Sequence, residues 1–191
     1  MGALADNLRR ALLDPTSVET LEVHGAAKAA VLVALHVPSG GGLATVFTRR
    51  RNDLRRNAGE ISFPGGRRDP DDASLVATAV REAHEELGLR VQEADVLGAL
   101  QPTPTLVTGF AIYPYVALIT RPRAWKANAS EVADVIELSV EQLIAGYGRR
   151  RVLRRGLAVR TDTYMVNGNL IWGATARIVS DLLERLALSD K

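Results

Sequence analysis

The chain has 191 residues, 47% of them hydrophobic and 24% charged, with a formal net charge of +2 and no cysteine. That length and balance suit a single domain with a full core, and the absence of cysteine excludes disulfides and thiolate metal sites. No apolar run reaches the roughly 18 residues of a membrane span, and a net charge near zero favours no class of macromolecular partner. Residues 3–13 place apolar and charged side chains at helical spacing and end at Asp14-Pro15. Their mixture of Asp6, Arg9 and Arg10 is unlike a secretory leader, so a cytoplasmic protein is expected. AAVLVALHV at 29–37 is a continuous branched apolar run, the pattern of a buried strand. PSGGG at 38–42 turns it into a second strand, LATVFT at 43–48. SFPGG at 62–66 breaks regular structure, and a helix then runs to Leu87, with Asp71 or Asp72 as N-cap and Gly88 just past its end.

Strands are expected at 91–100, 110–120 and 132–138, followed by a short helix at 139–147. Residues 151–166 suggest a hairpin or two short strands, and 172–188 form an amphipathic closing helix. Strands outnumber helices, which lie in the middle and at both ends. That order predicts an α/β (α+β) fold in one domain spanning 1–191, with a helical N-terminal extension at 1–14 and a mixed sheet covered by helices.

The helix ending in REAHEELG (81–88) carries the chemistry. Val76, Ala79, Val80, Ala83 and Leu87 share one stripe, the core face. Glu82, Glu85 and Glu86 fall within an arc of about 100° on the other side. Like charges at that spacing destabilise a helix by a few tenths of a kcal/mol per pair. A hard cation such as Mg²⁺ or Mn²⁺ turns the repulsion into coordination, and magnesium completes its shell with phosphate oxygens. The alternative is a plain solvated face. Arg81 lies four residues before Glu85 and can hold it by a charge-assisted bond, while FPGG upstream can bring a carbonyl toward the same ion.

GGRRDPDDASLVATAVREAHEELGL (65–89) resembles the signature of Nudix hydrolases, which ends in R-E-(apolar)-x-E-E-x-G-(apolar). Those positions are Arg81, Glu82, Ala83, Glu85, Glu86, Gly88 and Leu89. Counted from Gly66, Asp72 stands where the general pattern has Glu, and eight residues rather than seven precede Arg81. The coenzyme A pyrophosphatase branch is similar in both respects. Its upstream signature is matched in VFTRRRNDLRRNAGEISFPGG by Thr48, Arg50, Leu54, Arg55, Gly59 and all of Ile61 to Gly66, while Arg51 and Asn57 depart from it. LIWGATARIVSDLLERL at 170–186 also resembles that branch.

The resemblance implies a Nudix-type α/β/α sandwich with a mixed central sheet between helices. It implies cleavage by water of the pyrophosphate bond of coenzyme A or a derivative, with Mg²⁺ or Mn²⁺, giving adenosine 3′,5′-bisphosphate and 4′-phosphopantetheine. Glu82 and Glu86 are then the leading metal ligands, Glu85 is next, and the Gly66 carbonyl contributes. The general base is either Glu85 or Glu131, which precedes the strand at 132–138. Arg50 and Arg55, with Arg49 or Arg56, are expected at substrate phosphates. His84 is a bystander, since the pattern leaves its position free; the Arg149–Arg155 cluster is solvated surface and Trp172 a core residue. PTPTLVTGF at 102–110 is expected to form a loop over the substrate. Two other readings stay open. One is a Nudix enzyme for ADP-ribose, NADH or a dinucleoside polyphosphate. The other is a nucleic-acid-binding protein, which 5% aromatic content disfavours. No membrane partner is expected, and the oligomeric state is not legible.

Overall fold

The computed structural model describes residues 2–25, 27–53, 58–90, 94–105, 109–154 and 157–189. Helix α1 (Gly2–Ala11) stops short of Leu13, which bridges to Ala99, and Asp14 and Pro15 start α2 (Pro15–Glu19), where the Asp14 carboxylate accepts from the backbone N–H of Thr16 and Ser17. The apolar run then forms β1 (Ala27–His36), whose last eight residues are all buried. Its side chains alternate between two cores: Val31, Val33 and Leu35 enter one, Ala30, Leu32 and Ala34 the other. Burial on both faces is why that stretch reads as continuous rather than alternating.

β2 (Ala44–Arg50), β3 (Ile61–Ser62) and β4 (Gly65–Arg67) follow, then α3 (Leu75–Leu87), β5 (Ala94–Ala99), β6 (Thr103–Pro104), β7 (Phe110–Ile119), β8 (Val132–Ser139) and α4 (Val140–Gly146). The eight-stranded sheet runs β3-β2-β1-β7-β5, with β4 on β1, β6 on β7 and β8 on β2. β1 and β7 are parallel from Ala27 opposite Phe110 to Leu35 opposite Leu118. The other pairs in this sheet are antiparallel, so it is mixed. β9 (Tyr147–Arg154), β10 (Leu157–Val166) and β11 (Asn169–Trp172) form a separate antiparallel sheet before α5 (Gly173–Ser189). One core holds Val18 of α2 and Leu75, Ala79 and Ala83 of α3. The other holds Leu8 of α1, Leu143 of α4 and Ile178, Val179 and Leu182 of α5. The sheet is thus sandwiched between helices, as the sequence predicts.

Three local expectations are corrected. The N-cap of α3 is Ser74, whose Oγ accepts from the Ala77 N–H at 3.0 Å, and neither Asp71 nor Asp72 serves. Asp72 is buried against Arg81 instead. The FPGG turn runs directly into β4, paired with β1. Trp172 ends a strand and is only half-buried, rather than opening the helix from the core. Gly88 does close α3 in the left-handed conformation, φ 67°.

His36, 2% exposed, places Nε2 at 2.9 Å from the Glu137 carboxylate. Burial lowers its pKa from the ordinary 6.5, with Arg121 pushing the same way and Glu137 opposing. The unfolded chain therefore binds more protons there, and stability falls as pH drops through 6.5. Replacing His36 with Gln should flatten the Tm profile between about pH 7 and 5, measured by thermal unfolding. A wild-type slope retained in the variant would rule out His36 as its source.

Candidate active site

β4 brings the glycine turn against the sheet. The Pro64 carbonyl accepts from the Leu32 N–H at 2.8 Å, and Gly65 lies so close to Ala30 and Val31 that no side chain would fit. A Cβ on Gly66 would overlap the Glu82 carboxylate. The glycines therefore permit a close approach of bare backbone to the first acid of α3.

Arg81 organises the neighbouring acids. Its Nε and Nη2 form a fork on Asp72, at 2.9 and 3.0 Å. Its Nη1 donates to Glu82 at 3.0 Å and Glu85 at 3.3 Å, and Nη2 also donates to the Arg67 carbonyl at 3.2 Å. Asp72 accepts further bonds from Thr78 Oγ1 and the Asp69 N–H. The Arg81 bonds hold the Asp72 carboxyl well below the usual range, and Asp72 in turn raises the Arg81 pKa. Local pattern reading finds the Glu85 bond. It misses the Asp72 fork, for which the signal is Asp72 at a patterned position nine residues before Arg81.

Glu86 is 4% exposed, and Thr48 Oγ1 donates to its carboxylate at 3.2 Å. Burial pushes its pKa up to about 7, Glu82 and Glu131 adding to the rise while Thr48 and Arg50 resist it. Glu82 is also raised, by burial first, with Glu85 and Glu131 contributing. Glu131 is held near them by its loop. The Asn128 N–H donates to the Glu86 carbonyl at 2.9 Å and the Lys126 N–H to the Leu87 carbonyl at 3.0 Å, occupying acceptors left open at the end of α3. The Glu131 N–H then bonds the Asn128 carbonyl, and the Arg51 N–H bonds the Glu131 carbonyl, both at 3.0 Å.

Glu85 is more exposed than Glu82 or Glu86. His84 is exposed, with Nδ1 at 2.9 Å from the Leu89 carbonyl. Arg49 is committed to Asn169 Oδ1 on β11. Arg50 lines a cavity of about 340 Å³, with Glu60, Gly66, Arg67, Trp172 and Arg177 also on its wall. Arg55 and Arg56 lie outside the described residues, as do residues 106–108 of the expected substrate loop. The cavity wall includes none of Glu82, Glu85, Glu86 and Glu131; it meets the acidic helix at Gly66 and Arg50. Trp172 and Arg177 are wall residues that periodicity alone assigns to the packing of a terminal helix.

Among the described residues, no three His, Asp or Glu side chains converge tightly enough to enclose an ion; Arg81 provides the countercharge to Glu82 and Glu85. The donor chemistry still suits a hard divalent cation. Glu82 and Glu86 are carboxylates that burial drives toward protonation, and an adjacent divalent charge would reverse that drive.

A mixed sheet between helices, with a glycine turn leading to a carboxylate-bearing helix, defines a Nudix-type fold. The NUDIX domain of Shewanella oneidensis NrtR, solved with ADP ribose, matches with a TM-score of 0.56 at 14% identity, covering 91% of this chain and 92% of that one. A MutT/nudix family protein from Enterococcus faecalis matches with a TM-score of 0.57 at 14% identity, covering 90% and 66%. At such identities the likeness is one of fold. The NUDIX domain model matches residues 27–155. The uncharacterized Nudix hydrolase NudL of Salmonella newport (strain SL254) is 38% identical over 157 residues, 81% of this chain and 80% of its own. The chain belongs to the Nudix family. Hydrolases of this family act on diphosphate linkages of nucleotide derivatives and generally need a divalent metal ion.

Proposed function

We propose that this chain, a single Nudix domain over 1–191 with its motif at 65–89, hydrolyses the pyrophosphate bond of coenzyme A or a derivative in the cytoplasm. The products are adenosine 3′,5′-bisphosphate and 4′-phosphopantetheine. The observation that carries the proposal is the position of Arg50. It lies in the cavity wall while its charge acts on buried Glu86, so one residue links a ligand-sized space to the acidic helix. The branch-specific stretch from Thr48 to Gly66 contains that residue and Thr48, the Glu86 partner.

Glu82, Glu86, Glu85 and the Gly66 carbonyl would hold Mg²⁺ or Mn²⁺, which supplies charge neutralisation for the diphosphate and a lowered pKa for the attacking water. The chain's own groups set the geometry. Arg81 restrains Glu82 and Glu85, and Thr48 restrains Glu86. As the water oxygen bonds to phosphorus and the bridging P–O bond breaks, a carboxylate takes the water's proton. Glu131 suits that role better than Glu85, because Glu85 is bonded to Arg81. Arg50 is the foremost phosphate ligand, Arg55 remains a candidate from the motif, and Arg49 is weakened as one by its bond to Asn169. No helix among the described residues is long and apolar enough to cross a membrane.

The test is turnover with Mg²⁺ and with Mn²⁺ on coenzyme A, ADP-ribose, NADH and diadenosine polyphosphate, each product identified. Coenzyme A is expected to show the highest kcat/KM. If it is the slowest of the four, the branch assignment is overturned while the family assignment stands.

A further inference from the structure

We propose that Arg177 and Trp172, where β11 passes into α5, form a subsite for the part of the substrate remote from the bond that is cut, with Arg177 binding an additional phosphate there. This rests on the reading of the chain as a hydrolase of nucleotide-derived diphosphates. The cavity they border, about 340 Å³, lies at the small end of ligand pockets and suits one portion of such a substrate. Arg50, Arg67 and Arg177 lie on its wall against a single carboxylate, that of Glu60.

Arg177 is the group whose state asks for a ligand. Its Nη2 donates to the Pro104 carbonyl, but its Nε is buried without a hydrogen-bond partner, and among the described residues no carboxylate pairs with it. Burial alone lowers its pKa, which marks a desolvated cation without a compensating acid. The Arg50 Nε is buried and unpartnered in the same way. Unsatisfied buried donors are costly, and a planar guanidinium regains most by bonding a phosphate through its fork. Gly173, Ala174 and Thr175 in the first turn of α5 line the same space, and no acidic side chain occupies that turn to neutralise the helix's positive end. Trp172 and Phe110 add aromatic surface of the kind on which a base stacks. In coenzyme A the matching group is the adenosine with its 3′-phosphate, remote from the anhydride.

The experiment is calorimetric titration of the full chain with adenosine 3′,5′-bisphosphate and, separately, adenosine 5′-monophosphate, which needs no turnover. Wild type should bind the bisphosphate about tenfold more tightly, the effect of one charge-assisted bond. Arg177→Gln should erase that ratio and leave the monophosphate affinity unchanged, whereas Trp172→Leu should weaken both nucleotides. Arg177→Lys keeps a charge without the fork and should give an intermediate ratio, which provides a second test if the Gln variant unfolds. An unchanged ratio in the Arg177 variants, or equal weakening of both nucleotides, overturns the subsite. Parallel turnover of coenzyme A and its 3′-dephospho form separates the two proposals. A wild-type chain that cleaves neither contradicts the proposed function, while the nucleotide ratio still judges Arg177.

Discussion

Replacing Glu86 with Gln is expected to lower kcat by on the order of 10³-fold or more while the protein stays folded. The side chains are nearly isosteric, and the Thr48 hydroxyl can still donate to the Gln oxygen as it does to the carboxylate at 3.2 Å. At 4% exposure, with its pKa raised to about 7, Glu86 lies where a neutral group is tolerated better than a charged one. The variant's Tm should therefore equal or exceed that of wild type in the absence of metal. Steady-state turnover with saturating Mg²⁺ or Mn²⁺, set beside a thermal scan, gives both numbers. Undiminished turnover in a folded variant would remove Glu86 from the reaction.

Arg81→Ala should act on stability and activity together. Removing the guanidinium takes the charge-assisted fork from Asp72, which keeps its bonds from Thr78 and the Asp69 N–H, a loss of about 2 kcal/mol. For a chain of this size that corresponds to a Tm lower by roughly 4–8 °C. Glu82 and Glu85 lose their shared restraint at the same time, so kcat/KM falls beyond what unfolding explains. Arg81→Lys should rescue little, since one ammonium cannot supply a planar fork to Asp72 while also reaching Glu82, Glu85 and the Arg67 carbonyl. Combining Arg81→Ala with Asp72→Asn removes the stranded charge and should recover part of the lost stability. A double variant as unstable as the sum of the two singles would show that the Asp72 fork is not what Arg81 contributes.

β1, β7 and α3 are legible in the sequence because hydrophobic spacing is a local property, and each has a long enough stretch to show it. Their ends are less so. Asp72 has the chemistry of a cap, yet a carboxylate goes to the strongest donor within reach, and Arg81 in the middle of α3 outcompetes the amides of the helix's first turn. The third strand of the small sheet, β11, is missed because NLIW is too short to show alternation and runs straight into α5. For the same reason Trp172 reads as the first residue of an amphipathic helix, whereas the strand-to-helix corner leaves it on a cavity wall.

By itself the sequence determined the acidic face of α3, the glycine turn before it and the arginine-bearing motif upstream, which together place the chain in its family. Those features are written in spacings of a few residues, over which backbone geometry is nearly invariant. Only the tertiary structure decided which charges meet. Thr48 reaches Glu86 across 38 positions, the loop bearing Glu131 docks on the end of α3, and Arg50 and Arg177 share one cavity wall. Electrostatic partnership and desolvation depend on separation in space and on the surrounding medium, and neither quantity exists until the sheet has brought distant segments together.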